Sequence, residues 1–109
     1  MVRKNPFELN GLVALVTGGG SGLGLAMAEC FIACGADVVI SGSTEAKLQA
    51  AVAQLGPKAR YQVADVTSRA DIDRLVAGIQ GDFGRLDVLV NNAGTTVKNP
   101  FAEMPFADF

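Results

Sequence analysis

Histidine is absent from the 109 residues, and cysteine occurs only twice, at Cys30 and Cys34. Two thiols four residues apart, with no imidazole in the chain, make a poor metal site, so no metal is expected. The expectation is instead a pair of small buried apolar side chains on one helix. Charged residues make up only 18% of the chain, the formal net charge is −2, and no long basic run occurs. Nucleic acid and anionic membranes are given little to hold. The apolar runs are too short to span a bilayer, and the opening Met1-Val2-Arg3-Lys4-Asn5-Pro6 lacks the apolar core of a signal peptide. A soluble, cytoplasmic protein with neither nucleic acid nor membrane as partner is expected. Tyrosine occurs once, at Tyr61, and the residue four positions on is Asp65.

What the chain does have is apolar sequence, at 50% of residues, and 13 glycines, several of them bunched. The first makes it core-forming and globular, one domain at most. The second is concentrated in Thr17-Gly18-Gly19-Gly20-Ser21-Gly22-Leu23-Gly24, between an apolar run ending at Val16 and an amphipathic run beginning near Leu23. A strand that hands over to a helix within a few residues, with a charged ligand against its backbone, needs residues without Cβ atoms at the closest approach. The unpaired N–H groups and positive dipole end of the helix then face an anion. The spacing is Gly-x-x-x-Gly-x-Gly at positions 18, 22 and 24. A mononucleotide P-loop starting at Gly19 would need lysine and a hydroxyl where Leu25 and Ala26 stand.

In chain order, the apolar pattern predicts a strand from Leu12 to Val16 and a helix with the stripe Leu23, Met27, Cys30, Phe31 and Cys34, closed by Gly35. A second strand at Val38 to Ile40 runs into a polar loop, Ser41 to Thr44. A helix follows with Leu48, Ala51, Val52 and Leu55 inward, ended by Gly56-Pro57. The third strand is Arg60 to Ala64. Ser68 then caps a helix with the stripe Ile72, Leu75, Val76, Ile79 and Phe83, which Gly78 and Gly81 weaken by about 1 kcal/mol each. The fourth strand, Leu86 to Val90, ends in Asn91-Asn92-Ala93-Gly94. Such βα alternation with short loops gives an α/β fold of the doubly wound type, a parallel sheet in the order 3-2-1-4 with helices on both faces. The glycine turn and the Asn91 to Gly94 stretch then flank one crevice at the carboxyl ends of the first and fourth strands. Asp37 starts its strand at the opposite end and is given no function. The fourth strand is an edge, a liability for self-association. The apolar residues Phe101, Met104, Phe106 and Phe109 resemble a helix face in want of a partner.

Three motifs in this order, Thr-Gly-x-x-x-Gly-x-Gly at 17 to 24, Asp65-Val66, and Asn91-Asn92-Ala93-Gly94, resemble the short-chain dehydrogenases and reductases, collinearly over the whole chain. The resemblance implies an NAD(P)-dependent oxidoreductase acting on a small-molecule alcohol or carbonyl, with a Rossmann-type cofactor domain. By the same resemblance, Gly18, Gly22 and Gly24, with the backbone from Ser21 to Leu23, hold the pyrophosphate and neighbouring ribose. Asp65 and Val66 contact the adenine, and Asn91, Ala93 and Gly94 line the adenosine ribose. Asn92 is assigned a structural role.

Physical chemistry allows each assignment. Asp65 at a strand's carboxyl end can accept from an exocyclic amine or form a local turn, and the ligand role is favoured. The loop after the second strand, where Ser43 is counted as a cofactor contact, carries neither the acid that pairs with NAD ribose hydroxyls nor the base that pairs with the NADP phosphate. Its lack of a carboxylate tilts the expectation toward NADP. The family's catalytic serine and Tyr-x-x-x-Lys have no counterpart here, so residues 1–109 are expected to be an incomplete cofactor-binding domain. The chain is expected to be inactive alone and to form homo-oligomers when full length. A non-catalytic dinucleotide sensor is the alternative.

Overall fold

The computed structural model describes residues 8–20 and 22–92, which form seven elements. They are β1 (Val13–Thr17), α1 (Gly22–Ala33), β2 (Asp37–Gly42), α2 (Glu45–Leu55), β3 (Ala59–Val63), α3 (Arg69–Phe83) and β4 (Val88–Asn91). All pairings are parallel, in the order β3-β2-β1-β4. This is the expected half of a doubly wound sheet.

Each strand sits close to its expected place, displaced by where its backbone bonds begin and end. The Leu12 N–H turns back to the Leu9 carbonyl at 3.0 Å, so the β1 ladder starts at Val13 and runs on through Thr17, which is paired with both Ser41 and Asn91. Ser41 and Gly42, expected in a loop, belong to β2, because Ser41 pairs with both Thr17 and Gln62 and Gly42 pairs with Val63. At β4 the Asp87 N–H makes the first bond, to the Val13 carbonyl at 2.9 Å, and Leu86 remains outside with 41% of its surface exposed. The Asp87 carboxylate accepts the Val13 N–H at 2.8 Å and the Arg85 guanidinium at 2.9 and 2.6 Å. One aspartate thus ties the starts of β1 and β4 together.

Alternation along the strands separates two cores. Ala14, Val16, Val38 and Ile40 pack with Ala28, Leu48 and Ala51 under α1 and α2. Val13, Leu15 and Val39 pack with Ala64, Leu75 and Ile79 under α3. From their expected stripes α2 buries Leu48 and Ala51 and α3 buries Leu75 and Ile79, although Val76 stays 46% exposed. Ser68 caps α3 as expected, its hydroxyl accepting the Asp71 N–H at 3.3 Å.

α1 is rotated from the expected register. Its buried residues are Gly24 and Ala28, whereas Leu23 is 63% exposed, Cys30 is exposed and Cys34 only half-buried. The cause is close packing. The helix lies against the Gly18 carbonyl at Gly24, where no larger residue fits, and Leu25, Phe31 and Ile32 pack partly buried against the sheet beyond it. The expectation of two buried cysteines fails with that register. Tyr61 is likewise structural, its hydroxyl donating to Glu45 at 3.3 Å and accepting from Gln49 at 3.2 Å.

Candidate functional site

At the carboxyl end of β1 the chain must reverse into α1, and the Gly18 and Gly19 amides are both directed onto the Ser41 carbonyl, at 2.8 and 3.2 Å. β2 therefore anchors the turn. Ser41 is fully buried, and its hydroxyl has no hydrogen-bond partner among the described residues, so its backbone does the anchoring. Gly18 and Gly22 have φ of +66° and +60°, the left-handed region that an L side chain disfavours. A Cβ at Gly24 would lie 2.2 Å from the Gly18 carbonyl oxygen and 2.7 Å from Asn92 Nδ2. No side chain fits there, and α1 is drawn down until its first turn stands beside the end of the sheet. Leu23 is exposed at that first turn. Ser21 lies outside the described residues.

The second wall is the end of β4. Thr17, only 4% exposed, joins it to the first. Its hydroxyl lies 3.2 Å from both the Val90 carbonyl and Asn91 Oδ1, and it accepts the Asn92 N–H at 2.8 Å. The Asn92 side chain lies beside Gly24. Thr17 stands inside the expected motif, but its cross-link spans 73 to 75 residues and has no local signature. Ala93 and Gly94 lie outside the described residues.

The third component is the turn after β3. Asp65 is exposed, and its Oδ1 accepts from the Thr67 amide at 2.9 Å and the Thr67 hydroxyl at 2.6 Å. The Thr67 hydroxyl, then the Thr67 amide, hold the Asp65 carboxyl below the usual aspartate range, with desolvation working the other way. The local turn that was the alternative to the expected ligand role is present, and it engages Oδ1. The Asp65 N–H donates to Asp71 Oδ2 at 2.8 Å, a partner that no motif pointed to.

A largely apolar cavity of about 250 Å³ has Thr17, Val66 and Asn91 at one end, which brings the three strand ends to a single concavity. Its body runs down along α3 to Leu86 and Asp87, away from the glycine turn. The glycine turn and the start of α1, where an anion was expected, do not line this cavity. Ser43 is exposed just past β2, and Gly42 packs near Leu48 with no acidic side chain at either position. Together these residues can receive an elongated anion-containing ligand across the ends of β2, β1 and β4.

A family model described as short chain dehydrogenase matches residues 12–109. Galactitol 2-dehydrogenase of Agrobacterium fabrum is 44% identical over 86 residues, covering 79% of this chain and 34% of that protein. Among solved structures, 2-keto-3-deoxy-D-gluconate dehydrogenase from Streptococcus agalactiae superposes with a TM-score of 0.75 at 38% identity, over 94% of this chain and 40% of that one. The 3-ketoacyl-(acyl-carrier-protein) reductase from Brucella melitensis, complexed with NADH, gives 0.73 at 39% identity, over 75% and 34%. The chain thus spans between 34% and 40% of the length of these similar proteins.

Proposed function

The chain belongs to the short chain dehydrogenase family, and on that footing we propose that it is the cofactor-binding part of an NAD(P)-dependent oxidoreductase acting on a small-molecule alcohol or carbonyl. The single observation that carries this reading is the cradle at Gly24, where a Cβ would meet both the Gly18 carbonyl and Asn92. The contact brings the start of α1 against the sheet at the point where β1 gives way to β4 as its neighbour, the place where a parallel sheet of this order binds nucleotides.

In this reading the turn shaped by Gly18, Gly22 and Gly24, with the backbone from Ser21 to Leu23, holds the pyrophosphate and the adjoining ribose. Asp65 offers Oδ2 to the adenine amine while Thr67 occupies Oδ1, and Val66 borders the ring. Asn91, Ala93 and Gly94 line the adenosine ribose, and Thr17 keeps that wall at a set distance from the turn. A bound nicotinamide dinucleotide supplies or accepts the hydride. The residues of this chain bind and orient it. Proton transfer to the substrate oxygen belongs to residues outside this chain, so residues 1–109 are incomplete as a catalyst. Cytoplasmic location and a homo-oligomeric full-length protein complete the proposal.

The cofactor preference rests on Gly42 and Ser43. Neither repels a ribose phosphate, and neither is an acid that would pair with free ribose hydroxyls, which favours NADP. A Cβ at Gly42 would make only ordinary contacts, the nearest 3.4 Å from Leu48, so the position admits the first atom of a side chain. Titration with NADPH and NADH, followed by nicotinamide fluorescence, should show tighter binding of NADPH. Gly42→Asp should weaken NADPH by about tenfold, or ~1.4 kcal/mol, and spare NADH. Absence of binding by either cofactor at millimolar concentration would sink the reading, and unchanged discrimination in Gly42→Asp would remove the NADP preference.

A further inference from the structure

We infer that Asp71 is a positioning residue for the adenine wall, acting on Asp65 from the first turn of α3. The inference rests on the dinucleotide reading of the crevice and adds a residue that none of the motifs contains. The last ladder bond after β3 is from the Ala64 N–H to the Gly42 carbonyl, at 2.9 Å. The Asp65 N–H is the first amide beyond the sheet, and Asp71 Oδ2 accepts it at 2.8 Å. The Ser68 N–H in turn donates to the Asp65 carbonyl at 2.9 Å, and the Ser68 hydroxyl accepts the Asp71 N–H at 3.3 Å. Asp65, Ser68 and Asp71 form a closed cycle of three hydrogen bonds.

The direction of the Asp71 carboxylate distinguishes this cycle from a helix cap. In a reciprocal capping box, the acid three residues into the helix reaches back to the amide of the capping residue. Here the Ser68 amide is taken by the Asp65 carbonyl, and the Asp71 carboxylate passes beyond it to Asp65. It serves the loop rather than the helix. Arg74, also on α3, pairs with the other carboxylate oxygen and so orients it. With the Asp65 backbone held on both its N–H and its C=O, and Oδ1 engaged by Thr67, the orientation of Oδ2 and the path into Val66 are set before any ligand arrives. Preorganisation of this kind lowers the ordering cost of binding.

The test compares Asp71→Ala with Asp71→Asn in the full chain, using NADPH, ADP and reduced nicotinamide mononucleotide as ligands. Asparagine keeps an oxygen that can accept the Asp65 N–H, whereas alanine does not. Asp71→Ala should weaken NADPH and ADP by about tenfold and leave the mononucleotide unchanged, with Asp71→Asn within about threefold of the unsubstituted chain. The Asp65 amide should lose hydrogen-exchange protection in Asp71→Ala while the Leu75 amide in α3 keeps its own. Equal losses for all three ligands, no rescue by asparagine, or an unprotected Asp65 amide in the unsubstituted chain would each overturn the inference. If the unsubstituted chain binds no dinucleotide, the functional reading falls and takes this one with it. If it binds and Asp71→Ala leaves ADP untouched, only the role of Asp71 falls.

Discussion

The ends of β1 and β3 face the same crevice but are built from opposite materials. The turn from Gly18 to Gly24 works through absent side chains: two residues sit at positive φ, and a third is pressed against a carbonyl where no Cβ could fit. Its shape is set by sterics and by backbone bonds to Ser41. The turn from Asp65 to Ser68 works through side chains that are present, with Asp65, Thr67, Ser68 and Asp71 exchanging five hydrogen bonds around an exposed loop. The first kind of turn suits an anion that needs bare amides, the second a base that needs one oriented acceptor. The first should also fail abruptly when altered, and the second by degrees.

Substitutions in the glycine turn should have the largest effect, and two of its members separate two reasons for glycine. Gly24→Ala places a methyl group 2.2 Å from a backbone oxygen that cannot move without shifting β1. We expect a loss of about 3 kcal/mol in stability and of all measurable dinucleotide binding. Gly22→Ala meets nothing within 4 Å and suffers only from its φ of +60°, a penalty of about 1–2 kcal/mol. Urea unfolding of the two variants should rank them in that order. Equal stabilities would show that packing against Gly18 is not what shapes the turn.

The β3 turn should yield a smaller change. Thr67→Val removes the hydroxyl bond to Asp65 Oδ1 and keeps the amide bond. The Asp65 carboxyl is held below its ordinary value when folded, so its contribution is fully present above that ordinary value. It is lost as pH falls through the depressed one. Thr67→Val should raise the folded-state titration of Asp65, so that the loss begins at a higher pH, as read by carboxyl NMR. An unchanged midpoint would mean that the hydroxyl is not what lowers it. Between about pH 6 and 8 the Asp65 carboxylate is ionised in both forms, so its titration should add no pH dependence to dinucleotide binding.

The same contrast explains what could be seen in the sequence. Strand order, the parallel sheet and the glycine turn follow from local patterns, apolar runs of strand length alternating with helical periods, and the spacing of Gly18, Gly22 and Gly24. The ends of the strands shift by one or two residues because they depend on partners elsewhere in the chain, as at Leu12 and Asp87. The buried face of α1 was illegible for a different reason. Gly22 to Ala33 is apolar almost all round, so periodicity points nowhere, and what decides the rotation is the contact between Gly24 and Gly18. The Thr17 junction and the bond from Asp65 to Asp71 depend on side-chain direction, across about 75 residues in one case and 6 in the other. Spacing encodes neither.

The central claim is that the ends of β1, β3 and β4 form one dinucleotide crevice. It is tested most directly by mapping backbone amide shifts as NADPH is added to the chain. The account predicts saturable perturbations at Gly18, Gly22 and Gly24, at Asp65 and Val66, and at Asn91, all with one dissociation constant. Perturbations confined to the apolar cavity along α3, or none at millimolar ligand, would contradict it.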